Sequence, residues 1–258
     1  MMKSRMIFIF SLVGFFFLQG QKVQFVPELR VTYEATLNLG ENFKKEQKFI
    51  LIGNSQDYYF AASQNYLNDT GQYSSGGGVD LQAISDYFQE RVIKKKDKYN
   101  ILFTYISNRI RYEEDLSIKW VLYKDTKVIG GIKCQMAATN KYGRRWIAYF
   151  SKDYSQQIGP YKFSGLPGLI LELYDTRNDY HFTVSKIEKI KRPFSFNLSN
   201  YKLFSKTNYK KAKYNLEFEG AGFPPMDGEM KKDYEEISAD LKKKYRNPIE
   251  LKDYYLFN

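Results

Sequence analysis

Apolar and polar positions alternate without a break near the start of the chain. Val31, Tyr33, Ala35, Leu37 and Leu39 are apolar or aromatic, and Arg30, Thr32, Glu34, Thr36 and Asn38 between them are polar. A period of two places the first set on one face of a β-strand and the second on the other. Gln47 to Ile52 and Asp57 to Ala62, separated by Gly53, Asn54 and Ser55, predict a hairpin whose second arm is rich in β-favouring Tyr and Phe. Past the glycines of Ser74 to Gly78 the period changes. Leu81, Ile84, Phe88 and Val92 fall on one helical stripe, with Asp80 placed to cap its start and a lysine run at its end, which predicts a helix.

Strand periodicity returns from Asn100 to Arg111 and continues through Trp120 to Tyr123. Ile132, Cys134 and Met136 alternate with Lys133 and Gln135. After a turn region at Asn140 to Gly143, Trp146, Ala148 and Phe150 alternate with Arg145, Ile147 and Tyr149, so the two runs predict a second hairpin. In Gly165-Leu166-Pro167-Gly168, proline fits the first corner of a type II turn and glycine the second, where φ is positive. A strand follows at once, with Leu169, Leu171 and Leu173 on one side and Ile170, Glu172 and Tyr174 on the other. After a turn over Asp175 to Asp179, Tyr180, Phe182 and Val184 oppose His181, Thr183 and Ser185. Leu169 to Leu173 is nearly continuous in apolar residues, which predicts a position inside the sheet, covered on both faces. Met230, Tyr234, Ile237, Leu241 and Tyr245 recur at helical spacing after Asp227, and Asn247-Pro248 ends the run. The pattern as a whole predicts a mainly β, β-rich α+β fold: a large curved antiparallel sheet or open half-barrel on which two helices pack.

The first twenty residues carry a different signal. Lys3 and Arg5 form a short positive region, and Met6 to Leu18 is an uncharged apolar run, the layout of a secretory signal cut near Gly20. That run is shorter than the roughly 20 residues that span a bilayer, and no cysteine near the cut offers a lipid attachment point. The expected division is a signal over residues 1–20 and a single β-rich domain over residues 21–258. Removal of the signal lowers the net charge from +11 to +9 and leaves no further hydrophobic span. The expected location is outside the cytoplasm, in the periplasm or the outer envelope, or secreted.

A net charge of +11, from 40 Lys and Arg against 29 Asp and Glu, favours anionic partners without naming one. One histidine, His181, and one cysteine, Cys134, exclude the ordinary Cys/His zinc site and any internal disulfide. No Gly-rich phosphate loop or metal-ligand spacing occurs, so no cofactor and no metal is expected. Cys134 and His181 allow a thiolate–imidazole pair in principle, but Cys134 sits between Ile132 and Met136 on a core-like face, as an inert buried thiol does. Glu172 is a carboxylate inside an apolar strand and calls for a partner, with Arg144 or Arg145 the candidates. With Asp175 it forms a candidate polar site, read either as a structural ion pair, as an outward-facing group or as an acid/base pair. From Lys186 to Tyr214 nine basic residues face Glu188 alone, interleaved with six aromatics. Lys202, Lys206, Lys210, Lys211 and Lys213 are the candidate anion-binding residues. Such a mixture suits single-stranded nucleic acid, but a secretory signal argues against nucleic acid and for envelope polyanions; a buried face alternating with a solvated one gives the same pattern.

Gly165-Leu166-Pro167-Gly168-Leu169-Ile170 resembles, letter for letter, the motif of the GLPGLI family, exported Bacteroidetes proteins of uncharacterised function. The flanks agree in order: Ile132-Lys133-Cys134-Gln135 with Ala138-Thr139, Gly143-Arg144 before Trp146, Gly159-Pro160-Tyr161-Lys162-Phe163, Glu172 with Asp175, and Asn247-Pro248-Ile249-Glu250-Leu251. The resemblance covers about the middle third of the chain plus this tail. It implies export and one β-rich unit, and it transfers no catalytic residue. The function expected first is a noncatalytic envelope module binding a lipid-like or anionic ligand. Alternatives are an assembly module contacting another envelope protein and a carboxylate-dependent hydrolase, which requires Glu172 and Asp175 in one open cleft.

Overall fold

The computed structural model describes residues 22–72 and 87–252. The secretory segment expected at 1–20 and the first part of the helix expected from Leu81 lie outside the described residues. In chain order the strands are β1 (Lys22–Phe25), β2 (Leu29–Gly40), β3 (Phe43–Gly53), β4 (Tyr58–Ala62), β5 (Arg91–Lys95), β6 (Lys98–Tyr105), β7 (Asn108–Asp115), β8 (Val121–Ile129), β9 (Ile132–Lys141), β10 (Arg144–Ser151), β11 (Leu169–Asp175), β12 (Tyr180–Lys189), β13 (Phe194–Asn197) and β14 (Lys202–Phe204). The helices are α1 (Ser63–Asp69), α2 (Lys206–Phe218) and α3 (Gly228–Lys244).

Among the described residues, twelve strands form one sheet in the order β14-β7-β6-β5-β4-β3-β2-β12-β11-β10-β9-β8. Every pairing in it is antiparallel except β14 with β7, which is parallel. The sheet stays open, with β14 and β8 as its edges, so the half-barrel reading of the sequence holds. The alternation in β2 places Val31, Tyr33, Ala35, Leu37 and Leu39 on the inner face, each at most 4% exposed. They join inward residues of nearly every other strand in one core, from Phe103 and Tyr112 at one end to Trp146 and Leu171 at the other. The opposite face is partly covered. Ile50, Ile52, Tyr59, Ile93 and Leu102 pack there against α1 and the separate two-stranded ribbon of β1 and β13.

Both expected hairpins form, β3 with β4 and β9 with β10. Strand β11 lies between β10 and β12, as its apolar run requires. The helix expected around Met230 to Tyr245 is α3. The helix expected through Phe88 and Val92 is corrected in its second half. Arg91–Lys95 is a strand, paired with β4 on one side and β6 on the other. Val92 points into the inner core and Ile93 to the outer cluster, so two adjacent β-branched residues are buried on opposite faces. A helical stripe offers only one such face.

The link from β10 to β11 crosses the inner face instead of looping outside. Ile158, Tyr161, Phe163 and Leu166 are at most 1% exposed. Backbone polar groups buried in this way need partners, and sheet side chains supply them. Tyr58 Oη donates to the Tyr161 carbonyl (2.9 Å) and Trp120 Nε1 to the Ser164 carbonyl (2.9 Å). The turn in the GLPG segment is also corrected. The Gly168 amide donates to the Leu166 carbonyl at 2.7 Å, a three-residue γ-turn centred on Pro167 instead of a type II turn. Glycine is required for two reasons: Gly168 has φ +151°, and a Cβ there would collide with the Ser151 carbonyl of the adjoining β10 end. Gly168→Ala is therefore expected to lower the unfolding free energy by roughly 3 kcal/mol, from backbone strain and steric overlap together. Urea denaturation checks this, and an unchanged midpoint would show that the corner is not pinned against β10.

Candidate functional site

The crossing segment carries a lysine into the core. Lys162 is 0% exposed, and an ammonium so placed is tolerated only with full pairing. Its Nζ pairs with Glu114 of β7 and with Glu250, and donates to Tyr112 Oη at 3.1 Å. The faces of Tyr142, Tyr161 and Tyr112 surround it, with centroids 4.7, 5.1 and 5.7 Å from Nζ. Glu250 also accepts from Tyr161 Oη (2.8 Å) and Lys210 (3.1 Å), and pairs with Lys206 (3.3 Å). Burial alone would push its carboxyl up, but Lys162, Lys210 and Lys206 outweigh that and hold it well below the usual carboxylate range.

Glu250 reaches this point because the residues after α3 are strapped to the sheet. Arg144, at the start of β10, has a fully buried side chain. It donates to Asn247 Oδ1 (2.6 Å) and to the carbonyls of Pro248 (2.9 Å) and Ile249 (3.2 Å). The same guanidinium pairs with Asp175 (2.9 Å) and Asp179 (2.8 Å), and its Cζ lies 4.9 Å from the Tyr180 ring centroid. Tyr180 Oη donates to the Asn247 carbonyl (2.6 Å), and the Leu251 amide to the Tyr142 carbonyl (2.9 Å). Five residue groups singled out in the sequence, Arg144, Asp175, Tyr161-Lys162, Asn247-Pro248 and Glu250, thus meet in one place.

Helix α2 closes the site from the other side. Ser205 caps it by accepting the Asn208 amide (3.3 Å). Lys206, Tyr209, Lys210, Lys213, Leu216 and Glu217 share one stripe at i, i+3, i+4 spacing, and that stripe faces the sheet. Tyr209 Oη and Lys213 Nζ both donate to Glu90 (3.0 and 3.2 Å). Between helix, strap and inner face lies a cavity of about 150 Å³, open to solvent on one side. Tyr112, Tyr161 and Tyr180 form its inner wall, Tyr214, Glu217 and Phe218 its helix wall, and Tyr245 and Asn247 to Glu250 with Tyr87 to Glu90 its flanks.

Glu217 differs from the other carboxylates of this wall. Its nearest cation, Lys213, is 3.9 Å away, and its side chain is 27% exposed. Burial pushes its carboxyl up to about 7; Lys213 lowers it and Glu90 raises it. Lys213 is held at about 12, since Glu217 and Glu90 outweigh the burial of its ammonium.

The other candidate residues fall elsewhere. Neither Arg144 nor Arg145 partners Glu172, which corrects that pairing. Glu172 pairs instead with Lys127 of β8 and accepts from His181 Nε2 (2.9 Å). Burial raises its carboxyl, but the hydrogen bonds from His181 and Lys127 bring it below the usual value. Arg145 is exposed and reaches Asn140 (3.4 Å) and Tyr123 Oη (3.2 Å). Glu172 and Asp175, three apart on a strand, point to opposite faces and keep separate partners, so the cleft a carboxylate hydrolase needs is not built from them. Cys134 is buried, and burial pushes its thiol up to about 11, assisted by Asp153 and Glu172, as suits an inert core thiol. Among the five candidate anion-binding lysines, Lys206, Lys210 and Lys213 turn inward to glutamates, whereas Lys202 and Lys211 are exposed, Lys202 lying over the Phe204 ring. Sequence reasoning did not single out Glu90, Glu114 or Glu217. The recurrence of Lys206, Lys210, Lys213 and Glu217 at three and four residues was the available signal for a helix with a charged inward face.

No family model matches the chain, and no curated protein does. Among solved structures, PNGF-II in two crystal forms, C2 and P21, superposes with a TM-score of 0.54 at 14% and 15% identity. The alignment covers 74% of this chain and 34% of PNGF-II, so the chain spans about a third of that protein's length, and the likeness is one of fold. The LolA superfamily protein NE2245 from Nitrosomonas europaea aligns over 64% of this chain and 87% of its own at 8% identity, with a TM-score of 0.29, a level from which no common fold follows.

Glu217 makes stability depend on pH in a definite direction. Its folded-state value of about 7 exceeds the ordinary 4.5, so the folded state binds the extra proton. The stability this contributes is fully present below pH 4.5 and lost as pH rises to about 7. Glu217→Gln is expected to remove that decline and to be more stable than wild type above pH 7 by about 3 kcal/mol. Melting curves of both proteins from pH 4 to 9 check it; parallel curves would contradict the assignment.

Proposed function

We propose that this chain is an exported member of the GLPGLI family and a noncatalytic binding module whose ligand enters the cavity between the inner face, α2 and the C-terminal strap. The observation that carries this reading is the cavity itself: half-open, with a wall that is mainly aromatic and carries a few ionisable groups. A volume of about 150 Å³ suits one aromatic ring or a short run of methylenes, with the rest of a longer, lipid-like ligand leaving through the mouth. Family membership is supported by the Gly165 to Ile170 motif and its flanking residues in the sequence. Export is supported by the apolar run Met6 to Leu18 behind Lys3 and Arg5. The buried ion pairs of Lys162 and Arg144 hold the walls in place.

Native mass spectrometry of detergent-free protein with added palmitate tests the reading. One-to-one adducts are expected on the wild type and should be lost when Leu39, on the cavity wall, is replaced in Leu39→Trp. A bare mass at every palmitate concentration would remove the lipid-like ligand, and adducts unaffected by Leu39→Trp would move the site away from the cavity.

A further inference from the structure

We propose that the cavity recognises a small organic ammonium group, with Glu217 as its counter-ion and the surrounding aromatic rings as its cage. The inference rests on the cavity being a ligand site and adds the chemical class of the ligand.

The charges in the wall and directly behind it lead to it. Among the described residues, four lysines, Lys162, Lys206, Lys210 and Lys213, are interleaved with four glutamates, Glu90, Glu114, Glu217 and Glu250. Three of the four carboxylates are in close contact. Glu114 has Lys162 and Lys206, Glu250 has three lysines and Tyr161, and Glu90 has Lys213 and Tyr209. Glu217 has one cation, at 3.9 Å, beyond hydrogen-bond distance. A partly buried carboxylate that lines a cavity with no donor within hydrogen-bond distance is open to a donor brought by a ligand.

The space in front of it fits a cation better than an anion or a neutral donor. Tyr214 and Phe218 of α2, Tyr245 at the end of α3, and Tyr87 and Phe88 line the same cavity, and aromatic faces attract ammonium groups. The groups that face Glu217 electrostatically are Lys213 and Tyr209 on its own helix, Glu90 ahead of β5, Tyr105 of β6 and Tyr245. Lys213 is the one cation among them, and its closer contact is Glu90, at 3.2 Å. An anion would have to approach Glu90 and Glu217 together.

The protonation of Glu217 then predicts how binding proceeds. Near pH 7 its carboxyl is about half protonated. An arriving ammonium favours the carboxylate, so the proton leaves to the buffer and one positive charge replaces another. Where Glu217 starts protonated the total charge of the cluster is unchanged, which lowers the cost of adding a cation beside Lys213.

Isothermal titration of the purified protein at pH 7 with benzylamine, benzyl alcohol and benzoate tests this, each in two buffers of different ionisation enthalpy. Benzylamine is expected to bind about tenfold more tightly than benzyl alcohol, with benzoate weaker than both, and to release about half a proton per complex. In Glu217→Gln the amine preference over benzyl alcohol and the proton release should disappear. Equal affinity for benzylamine and benzyl alcohol, or an amine preference that survives Glu217→Gln, would overturn the ammonium site and leave the binding module standing. Proton uptake with tighter benzoate binding would overturn it in favour of an anionic ligand. Failure of all three probes, together with a bare mass in the presence of palmitate, would overturn the binding module itself.

Discussion

A lysine ammonium with no access to water dictates the arrangement of everything around it. Lys162 is accommodated there because Glu114 comes from the sheet, Glu250 from the C-terminal strap, and three tyrosine rings enclose the rest. A buried ion pair adds little net stability compared with an apolar replacement, whereas removal of one partner is costly. Such a group acts mainly as a specifier of geometry. Elements far apart in sequence must converge at Lys162, and the cavity is the space left between them.

The second fastening is Arg144, which binds three groups of the strap with one edge and two aspartates with another. The strap would otherwise be a polar chain end lying over an aromatic core. Held there, it brings Glu250 to Lys162 and completes a wall that α2 closes with Tyr209, Lys210 and Lys213. Positive charge that looks like a free anion-binding surface in the sequence is in good part turned inward. The residues that remain unmatched at the wall, Glu217 above all, set the chemistry available to a ligand.

Much of the sheet was legible in the sequence because one face of each strand is apolar and the other wet. The β2 alternation, both hairpins and the buried β11 followed from a period of two, and α3 from a period near 3.6. The misses share a physical cause. Helix α2 packs a stripe that is largely charged, so Lys206, Lys210 and Lys213 read as solvent-facing although their partners lie in the core. Strand β5 buries Val92 and Ile93 on opposite faces, and the first of them fitted a helical stripe by chance of spacing with Phe88. The partners of Glu172 depended on strand order: Lys127 arrives from β8 and His181 from β12, neither readable from local pattern. The candidate site was legible in part, through Arg144, Asp175, Lys162 and Glu250, but as separate motifs; long-range pairing across 88 positions between Lys162 and Glu250 is a property of topology alone.

The central claim is that the Lys162 ammonium holds α2 and the strap over the inner face. Hydrogen exchange of Lys162→Met against wild type tests it most directly. The account predicts that amides of residues 206–218 and 247–252 exchange at least tenfold faster in the variant while those of β2 and β3 keep their protection, because the variant loses the buried cation that joins Glu250 of the strap to Glu114 of the sheet. Unchanged exchange in those two segments, or an equal loss throughout the sheet, would contradict it.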